Sequence, residues 1–381
     1  MHRYIRYATD RQAEIIQLIR EMVECESPSD SAADVNRFVD LVIEKTRDIA
    51  ETQRLKGPHI AGYGDHLRLE FKLPGRKKKP QILGLGHSDT VWPVGTLTTM
   101  PFHQADGRLW GPGVLDMKAG LAFFIYAVRA LLEFEVKTQR DVVLLIVSDE
   151  EVGSDSRYVT EREAKESDFV LVVEPGTGLE GKLKTARKGV GDYTVNIEGR
   201  ASHAGVDFTN GASAILEAAR QVEKIAEFTD LKRGVTVNPG VIRGGTRTNV
   251  VAAEAHIDVD VRVKRLKDAE ALDKKFRGLK PVDKRCKIRV HGGLNRPPME
   301  RTWRIANLFA EAKKIAAGMG IKLEESSTGG GSDGNFTAAL GVSTLDGLGA
   351  VGEGAHAVNE SILIDRIADR VALLAGLVEK L

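Results

Sequence analysis

An apolar run with an abrupt polar ending lies in the stretch Gln81-Ile-Leu-Gly-Leu-Gly-His-Ser-Asp-Thr90, where His87 is followed by Asp89. Two further apolar runs end in acidic residues: residues 141–147 lead into Ser148-Asp-Glu-Glu151, and residues 169–173 lead into Glu174-Pro175. Short apolar runs bounded in this way are typical of buried strands. Because the carboxyl ends of parallel strands meet at one edge of a sheet, we predict that these polar side chains come together there.

Around this stretch the chain alternates helical and extended patterns. The spacing of apolar residues predicts helices over residues 10–25, 31–49 and 118–134, and strict alternation predicts a strand over residues 67–73. The basic segment 74–80 is interpreted as a solvated hairpin loop rather than a nucleic-acid patch. Strands that alternate with helices predict an α/β fold with a mixed sheet between helices.

A second pattern interrupts this alternation near residue 186. Its order of strands and helices, β-α-β-β-α-β, is that of a ferredoxin-like α+β unit. A helix over residues 301–319 returns the chain to the first pattern. We therefore predict a first domain of residues 1–185 and 294–381, interrupted by an inserted domain of residues 186–293. The predicted strands of the insert cover residues 191–198, 235–243, 252–264 and 286–292, and its helices cover residues 212–228 and 267–279.

Composition restricts the classes of partner. The 381 residues carry 55 basic and 54 acidic side chains, which gives no general attraction to nucleic acid or to an anionic membrane. No run approaches the roughly 18 apolar residues of a membrane helix, and the amino terminus lacks the apolar core of a signal peptide. Cys25 and Cys286 form no disulfide or metal pattern. We expect a cytoplasmic protein that acts on a small molecule or peptide, with no nucleic-acid or membrane partner.

The polar residues at strand ends and in glycine-rich loops are of the types that bind catalytic metal ions. A hydrolytic metal pair needs histidine and carboxylate ligands, a shared carboxylate and an open position for water. Taken alone, Asp116 is equally well explained as a helix N-cap, and His356 as an ordinary loop residue. Together the candidates predict a metal-dependent hydrolase. They are His87, Asp116, Glu151, Glu174 and His356.

Neighbouring residues supply candidates for the rest of the chemistry. Asp89 is expected to hold the ring of His87 in the tautomer that a metal requires. Glu150 and Glu151 are adjacent, so their side chains diverge, and one can bind metal while the other takes a proton from the attacking water. An adjacent pair of glutamates is usually a solvated surface feature, but the apolar run 143–147 before it favours a buried strand end.

Seven motifs in one order along the chain resemble a single family: the co-catalytic zinc peptidases and deacylases that include bacterial glutamate carboxypeptidase, acetylornithine deacetylase, succinyl-diaminopimelate desuccinylase and the aminoacylases. The resemblance implies a zinc-exopeptidase-like catalytic domain and an inserted lid domain through which two subunits form a homodimer. The motifs are His87-Ser-Asp-Thr90, Gly111-Pro-Gly-Val-Leu-Asp-Met-Lys118, Asp149-Glu-Glu-Val-Gly-Ser154, Glu174-Pro175, Gly199-Arg-Ala-Ser-His-Ala-Gly205, Gly244-Gly-Thr-Arg-Thr-Asn-Val250 and Thr328-Gly-Gly-Gly-Ser-Asp333.

The resemblance also implies a role for each metal ligand. Asp116 would bridge two zinc ions, with cobalt or manganese as alternatives. His87 and Glu174 would complete one metal site, and Glu151 and His356 would complete the other.

Three further catalytic roles follow from the same resemblance. Glu150 would be the general base. His203 of the lid would reach the active site of the other subunit and stabilise the oxyanion, and Asn249 is a second lid candidate for contact with substrate. Without the resemblance, His203 is interpreted as a loop histidine.

Two segments are most similar to the glutamate carboxypeptidase branch, Thr90-Val-Trp-Pro-Val-Gly-Thr-Leu97 and Leu294-Asn-Arg-Pro-Pro-Met299. This similarity implies hydrolysis of an amide bond to a C-terminal amino acid with a free carboxylate, as in N-acyl or peptidyl glutamate. Several basic residues are candidates for binding this carboxylate, and for each of them the alternative interpretation is an ordinary charged residue on the protein surface. The candidates for binding that carboxylate are Arg296 first, then Arg262, Lys182 and the backbone amides around Gly330.

Two alternatives stay open at this point. A deacylase such as acetylornithine deacetylase or succinyl-diaminopimelate desuccinylase shares every metal residue and differs in the amine that it releases. A binding protein of the same fold without catalytic activity is the second alternative, and the complete ligand set together with Glu150 argues against it.

Overall fold

The protein is described by a computed structural model over residues 1–57 and 62–381. Within these ranges the α-helices are α1 (Arg3–Asp10), α2 (Gln12–Glu24), α3 (Ala32–Thr46), α4 (Ala119–Glu133), α5 (Arg157–Lys165), α6 (Ala214–Ala226), α7 (Leu266–Arg277), α8 (Trp303–Gly318), α9 (Gly334–Ala339) and α10 (Ile367–Lys380). The strands are β1 (Ala50–Leu55), β2 (His66–Phe71), β3 (Lys79–His87), β4 (His103–Ala105), β5 (Arg108–Trp110), β6 (Arg140–Val147), β7 (Ser167–Val172), β8 (Leu183–Arg187), β9 (Gly189–Glu198), β10 (Thr236–Gly244), β11 (Glu254–Val263), β12 (Lys287–Arg296), β13 (Glu325–Thr328), β14 (Ser343–Leu345), β15 (Gly352–Glu353) and β16 (Ser361–Leu363).

The chain divides into two compact units. The first comprises Met1–Ala186, Arg301–Thr328 and Ser332–Leu381, and the second comprises Arg187–Glu300 with Gly329–Gly331. The second unit thus continues to Glu300, past the end expected at residue 293, because β12 runs on to Arg296 in register with β9. The α/β fold with an inserted α+β unit is confirmed.

A six-stranded mixed sheet in the order β1-β2-β6-β3-β7-β14 organises the first unit. β3 is central and lies parallel to both β6 and β7. All three strands therefore end at the same edge, and the residues that follow them are the polar ones noted in the sequence. The predicted convergence of the three strand ends is confirmed.

Apolar side chains cover both faces of this sheet. Leu83, Leu85 and Val143 belong to one buried cluster, while Ile82 and Val142 belong to the other. Burial on both faces explains why these strands are continuous apolar runs rather than alternating ones. Such a sheet is a rigid support for side chains at its edge.

Two glycines of β3 allow α4 to approach closely. A Cβ atom on Gly84 would lie 2.6 Å from the Phe124 ring, and one on Gly86 would lie 2.7 Å from Leu121 Cδ2. Side chains at either position would push α4 away from the strand. Since α4 starts at Ala119, three residues after Asp116, this close packing fixes Asp116 relative to the end of β3.

The hairpin interpretation of residues 74–80 is wrong. β2 pairs antiparallel with β1 and β6, and β6 lies between β2 and β3 in the sheet. Residues 74–80 do connect β2 to β3, but the local sequence does not reveal that β6, a strand from later in the chain, lies between β2 and β3 in the sheet.

The second unit is a four-stranded antiparallel sheet in the order β10-β11-β9-β12, with chain order β9-α6-β10-β11-α7-β12. Buried residues alternate along β9 and β11, so one face of the sheet carries the core. Phe276 of α7 stacks on Tyr193 of β9 with ring centroids 3.9 Å apart. Over the described residues, none of the helices is long and apolar enough to cross a membrane.

Candidate metal centre

One half of the centre forms where β3 and β7 end. His87, the last residue of β3, is buried, and its Nε2 lies 3.3 Å from Asp116 Oδ1 and 3.5 Å from Glu174 Oε1. Asp116 stands in the turn Val114–Lys118 just before α4, and the peptide bond that follows it is cis. Glu174 follows β7. Three segments that are distant in the chain therefore present three donor atoms to one point.

The other half uses the second oxygen of the same aspartate. His356 Nε2 lies 3.4 Å from Asp116 Oδ2 and 3.2 Å from Glu151 Oε1. His356 has a φ of 61°, in the left-handed region, which costs a non-glycine residue of order 1 kcal/mol. Each oxygen of Asp116 consequently lies beside one histidine, and each of those histidines lies beside one glutamate.

The donor separations fit divalent metal ions. Ligands held at about 2.0–2.1 Å from a tetrahedral zinc ion lie about 3.3 Å from one another. The distances of 3.2 to 3.5 Å between histidine Nε2 atoms and carboxylate oxygens match this ligand-to-ligand distance in both halves of the centre. His87, Asp116 and Glu151 also offer donor atoms that all lie within 4.8 Å of one another. The residues present therefore fit a pair of ions bridged by Asp116.

The electrostatics of the cluster favour added positive charge. Burial would lower the pKa of His87, but Asp116, Asp89 and Glu174 raise that pKa well above its usual value. Hydrogen bonds to Asp116 and Glu151 raise the pKa of His356 to about 10. Both imidazoles thus hold protons tightly where no cation balances the carboxylates, and a divalent cation can take the place of those protons.

Glu150 and Asp89 lie beside the two half-sites. A carboxylate oxygen of Glu150 lies within 4.8 Å of donor atoms of both His87 and Glu174. The nearest acceptor to His87 Nδ1 is the backbone oxygen of Asp89 at 2.9 Å, while the Asp89 carboxylate is 3.5 Å away. That carboxylate instead accepts hydrogen bonds from the backbone N–H groups of Glu150 and Glu151, at 3.3 and 3.1 Å. Asp89 therefore positions both strand ends.

A buried glutamate that the sequence analysis missed holds the bridging residue in place. Glu360 Oε1 accepts from the backbone N–H groups of Leu115 and Asp116 at 2.9 and 3.0 Å, and Oε2 accepts from Gly113 N–H at 2.9 Å and Trp92 Nε1–H at 2.8 Å. Burial raises the pKa of Glu360, and these donors oppose the rise. Because Glu360 follows His356 in one loop, it couples that loop to the Asp116 turn.

A second network fixes the loop that carries Glu150 and Glu151. Asp149 is buried and accepts from the backbone N–H and the hydroxyl of Ser156 at 2.8 and 2.7 Å. Burial raises the pKa of Asp149 to about 6. Asp333 accepts from the hydroxyls of Ser154 and Thr160 at 2.5 and 3.1 Å. The glycine-rich motif that ends in Asp333 is thereby tied to the glutamate loop, which the motif alone did not indicate.

In the second unit, His203 and Asn249 are neighbours. Residues 203 and 250 form an antiparallel bridge, and the Ala204 N–H donates to the Asn249 backbone oxygen at 3.0 Å. His203 is exposed, and its Nδ1 accepts from the N–H groups of Gly205 and Val206 at 3.1 and 3.2 Å. In the neutral ring the proton therefore sits on Nε2, which leaves that atom as an outward hydrogen-bond donor.

The basic candidates for substrate binding differ in their surroundings. Arg296 is buried at the end of β12, with its side chain against Gly331, and the backbone oxygen of Gly330 accepts from Arg187 at 3.2 Å. Arg262 is held by Asp260 through three hydrogen bonds of 2.7 to 3.0 Å. Lys182, in the first unit, forms an ion pair with Glu324 at 3.4 Å. Lys182 and Arg262 thus already have carboxylate partners.

Comparison with known proteins places the centre in a family. The sequence profile of peptidase family M20/M25/M40 matches residues 84–380. Carboxypeptidase G2 of Pseudomonas sp. (strain RS-16) is 29% identical, over 97% of this chain and 90% of the relative. Succinyl-diaminopimelate desuccinylase of Acidovorax ebreus (strain TPSY) is 29% identical, over 77% of this chain and 81% of the relative.

Solved structures of the same fold span almost the whole chain. Aminopeptidase PepT from Bacillus cereus ATCC 10987 superposes with a TM-score of 0.77 at 23% identity, covering 97% of this chain and 98% of its own. The YXEP protein of Bacillus subtilis, described as a dinuclear metal binding peptidase from the M20 family, has a TM-score of 0.71 at 16% identity, with 97% and 98% covered. At these identities the likeness concerns the fold.

Proposed function

The chain belongs to peptidase family M20/M25/M40 and is a metallohydrolase, and from that premise we propose that it is a two-zinc carboxypeptidase of the glutamate carboxypeptidase type. Its substrates would be N-acyl or peptidyl amino acids with a free carboxylate on the amine side of the scissile amide. The observation that carries the proposal is the 29% identity to carboxypeptidase G2 over 97% of this chain, combined with the histidine–glutamate pair that lies beside each oxygen of Asp116.

The ligands divide between two sites. His87 and Glu174 would hold one ion, Glu151 and His356 would hold the other, and Asp116 would be shared. Bound there, the ions would polarise the scissile carbonyl and acidify water. The prediction of zinc rests on the nitrogen and oxygen donor set and on the separations near 3.3 Å.

The proton transfers are assigned to Glu150. Its carboxylate lies beside the His87–Glu174 half-site, where it can take a proton from the attacking water. The same carboxylic acid then donates that proton to the departing amine when the C–N bond breaks. The Asp89 carboxylate fixes the backbone of Glu150 and Glu151 by accepting from both of their N–H groups. Each glutamate can thus keep a separate role.

The lid residues are assigned to charge stabilisation. The Nε2–H of His203 is free to donate toward an oxyanion, and Asn249 stands beside it. We propose that both act on the active site of a partner subunit in a homodimer. Among the basic candidates, Arg296 is assigned to clamp a substrate carboxylate, because it lies in the segment Leu294–Met299 that resembles the glutamate carboxypeptidase branch and its guanidinium can form two hydrogen bonds with a carboxylate. The expectation of a cytoplasmic location stays a prediction.

A hydrolysis panel tests the proposal. The zinc-loaded enzyme would be offered N-acyl and peptidyl amino acids, each with its C-terminal α-amide as the matched control, and release of the free amine would be measured. We expect the free acids to be cleaved and the amides to have a kcat/KM at least about tenfold lower, since a charge-assisted contact contributes about 1.5–3 kcal/mol. Equal rates for acid and amide would contradict the carboxypeptidase assignment.

A further inference from the structure

A cavity of about 220 Å³ lies beside Glu151 in the first unit. Its walls come from three loops, represented by Pro28, Val91 and Val152. The two valines are 42% and 45% exposed, although valine is ordinarily a buried residue. Apolar side chains left open to solvent next to a reaction centre are typical of a ligand-binding surface.

Hydrogen bonds to one buried carboxylate hold the three walls together. Asp89 Oδ2 accepts from the Ser29 hydroxyl at 2.7 Å and from the Glu151 N–H at 3.1 Å. The Ser29 N–H in turn donates to the Thr90 backbone oxygen at 3.2 Å. The cavity is therefore a built part of the folded site and requires no rearrangement to form.

The charges of this cavity oppose an anionic occupant. The ionisable residues among its described lining are Asp30 and Glu151, and none of that lining is basic. Four positive charges of a divalent pair would be balanced by the four carboxylates Asp116, Glu150, Glu151 and Glu174, so the metals leave no surplus for a further carboxylate. A substrate carboxylate in the cavity would meet like charge without a counter-ion. The lining therefore disfavours the departing amino acid with its carboxylate and favours the acyl side of the substrate.

We propose, resting on the proposed function, that this cavity is the acyl-group subsite and takes a compact, uncharged apolar acyl group. At about 220 Å³ it is smaller than the roughly 300–1,000 Å³ of pockets that hold whole ligands, so one group fills it. The inference separates this chain from enzymes that remove a succinyl group, because a succinyl group carries a carboxylate at its far end.

Three glutamate conjugates of similar length test the charge preference. They are 4-methylpentanoyl-glutamate, succinyl-glutamate and 4-aminobutanoyl-glutamate, with uncharged, negative and positive acyl ends. We expect the zinc-loaded enzyme to show a kcat/KM for the first at least about tenfold above that for the succinyl conjugate, because the lining contains acidic but no basic side chains. Equal values, or a preference for a charged acyl group, would overturn the assignment.

Variants in the cavity wall provide the matched comparison. Val152→Lys should raise the kcat/KM ratio of succinyl- to 4-methylpentanoyl-glutamate by about tenfold or more, because it supplies the missing counter-charge. Val91→Lys repeats the test on another wall should the first variant misfold. Val282→Lys is the control, since Val282 is 49% exposed and lies in the second unit outside this cavity. An unchanged ratio in a folded wall variant would refute the subsite.

Binding to the zinc-loaded Glu150→Gln variant separates this inference from the proposed function. Calorimetric titration with the same three conjugates reports acyl selectivity without turnover. If the variant binds the 4-methylpentanoyl conjugate most tightly but the wild-type enzyme releases no glutamate, the subsite is supported. The carboxypeptidase function is then refuted. If the wild-type enzyme hydrolyses the three conjugates at equal rates, or if the variant binds them with equal affinity, the subsite assignment is refuted. This outcome does not depend on whether the carboxypeptidase function holds.

Discussion

At the scale of single residues, the roles proposed for Asp116 and Glu150 can be separated by experiment although their carboxylates belong to one site. Asp116 contacts the histidines of both half-sites, at 3.3 and 3.4 Å. Glu150 instead stands beside the His87 half-site. Loss of the first should therefore affect metal content, and loss of the second should affect chemistry.

The first prediction compares two isosteric variants. Asp116→Asn replaces one bridging oxygen by an amide nitrogen that cannot bind metal, so we expect fewer than two ions per chain. Glu150→Gln should keep both ions and lose kcat by about 10²- to 10⁴-fold, which is the usual contribution of a general base. Metal analysis of the purified variants and steady-state kinetics decide the matter. A fully active Glu150→Gln enzyme would show that the base has been assigned wrongly.

The second prediction concerns Glu360, which acts through Asp116. In Glu360→Gln an amide NH₂ group replaces one oxygen and faces backbone N–H donors, so the turn before α4 loses part of its support. We expect zinc affinity to fall about 10- to 100-fold, as for other partners that orient metal ligands. Competition with a coloured zinc chelator measures this. Glu353→Gln is the control, since Glu353 is exposed and forms an ion pair with Arg108 at 3.0 Å, away from the Asp116 turn. A drop in thermal stability with unchanged zinc affinity would make Glu360 merely structural.

The sequence indicated candidate site residues where a histidine or an acidic residue follows the end of a predicted strand. His87 and Glu174 could be proposed as ligands because an apolar run stops directly before each of them, and Glu151 because it follows the run 143–147 after three residues. Glu360 was not predicted, because its partners are mostly backbone N–H groups of a turn far away in the chain. Every residue type except proline carries such a group, so the sequence does not show which of them bind a carboxylate. Asp89 was placed beside His87, but its carboxylate has the additional partners described above.

At the scale of elements, the second unit depends on a buried acid of α6. Glu217 is fully buried and accepts hydrogen bonds from the N–H groups of Val282 and Asp283, both at 2.9 Å, and from the Gln221 amide at 2.6 Å. Burial would raise the pKa of Glu217, but these donors hold it below the usual 4.5. The side chain thus fixes the segment between α7 and β12 onto α6.

The third prediction follows from that depressed pKa. A carboxylate with a lowered folded-state pKa stabilises the fold above its unfolded pKa, and the effect is lost as pH falls through the folded value. Glu217→Gln should reduce unfolding free energy at pH 7 by about 1–3 kcal/mol, and the difference from wild type should shrink below pH 4.5. Urea unfolding at several pH values measures it, with hydrogen exchange of β9–β12 locating the effect. Glu223→Gln, exposed on the same helix, is the control. A pH-independent difference would contradict the ionic explanation.

Helices and strands with a strong periodicity of apolar residues could be predicted from the sequence, whereas the pairing of strands within the sheets could not. The helix expected over residues 212–228 is α6 (Ala214–Ala226), and the strand expected over residues 252–264 is β11 (Glu254–Val263). The edge strand β1 was missed, because most of its residues are polar and exposed. The insertion of β6 between β2 and β3 is a long-range pairing, which local patterns do not encode.

At the scale of the whole molecule, the proposed metal ligands and the proposed oxyanion donors belong to different units of the chain. Every candidate metal ligand belongs to the first unit, while His203 and Asn249 belong to the second. Such a division allows the two functions to be supplied by different copies of the chain. A twofold pairing of second units is consistent with the open edges of their sheet at β10 and β12.

The last prediction is that catalysis requires the second unit of a partner subunit. A Glu150→Gln chain has no base but an intact His203, and a His203→Ala chain has the base but no lid donor. When the two are mixed and subunits exchange, one site of each mixed dimer combines an intact Glu150 with an intact His203 from its neighbour. Activity should then rise well above that of either parent, toward half the wild-type value per mixed dimer. Light scattering and a tagged-subunit capture would establish dimerisation and exchange. Activity that stays at the parental level after proven exchange would place His203 in its own subunit's site, and a monomer at assay concentration would refute the dimer.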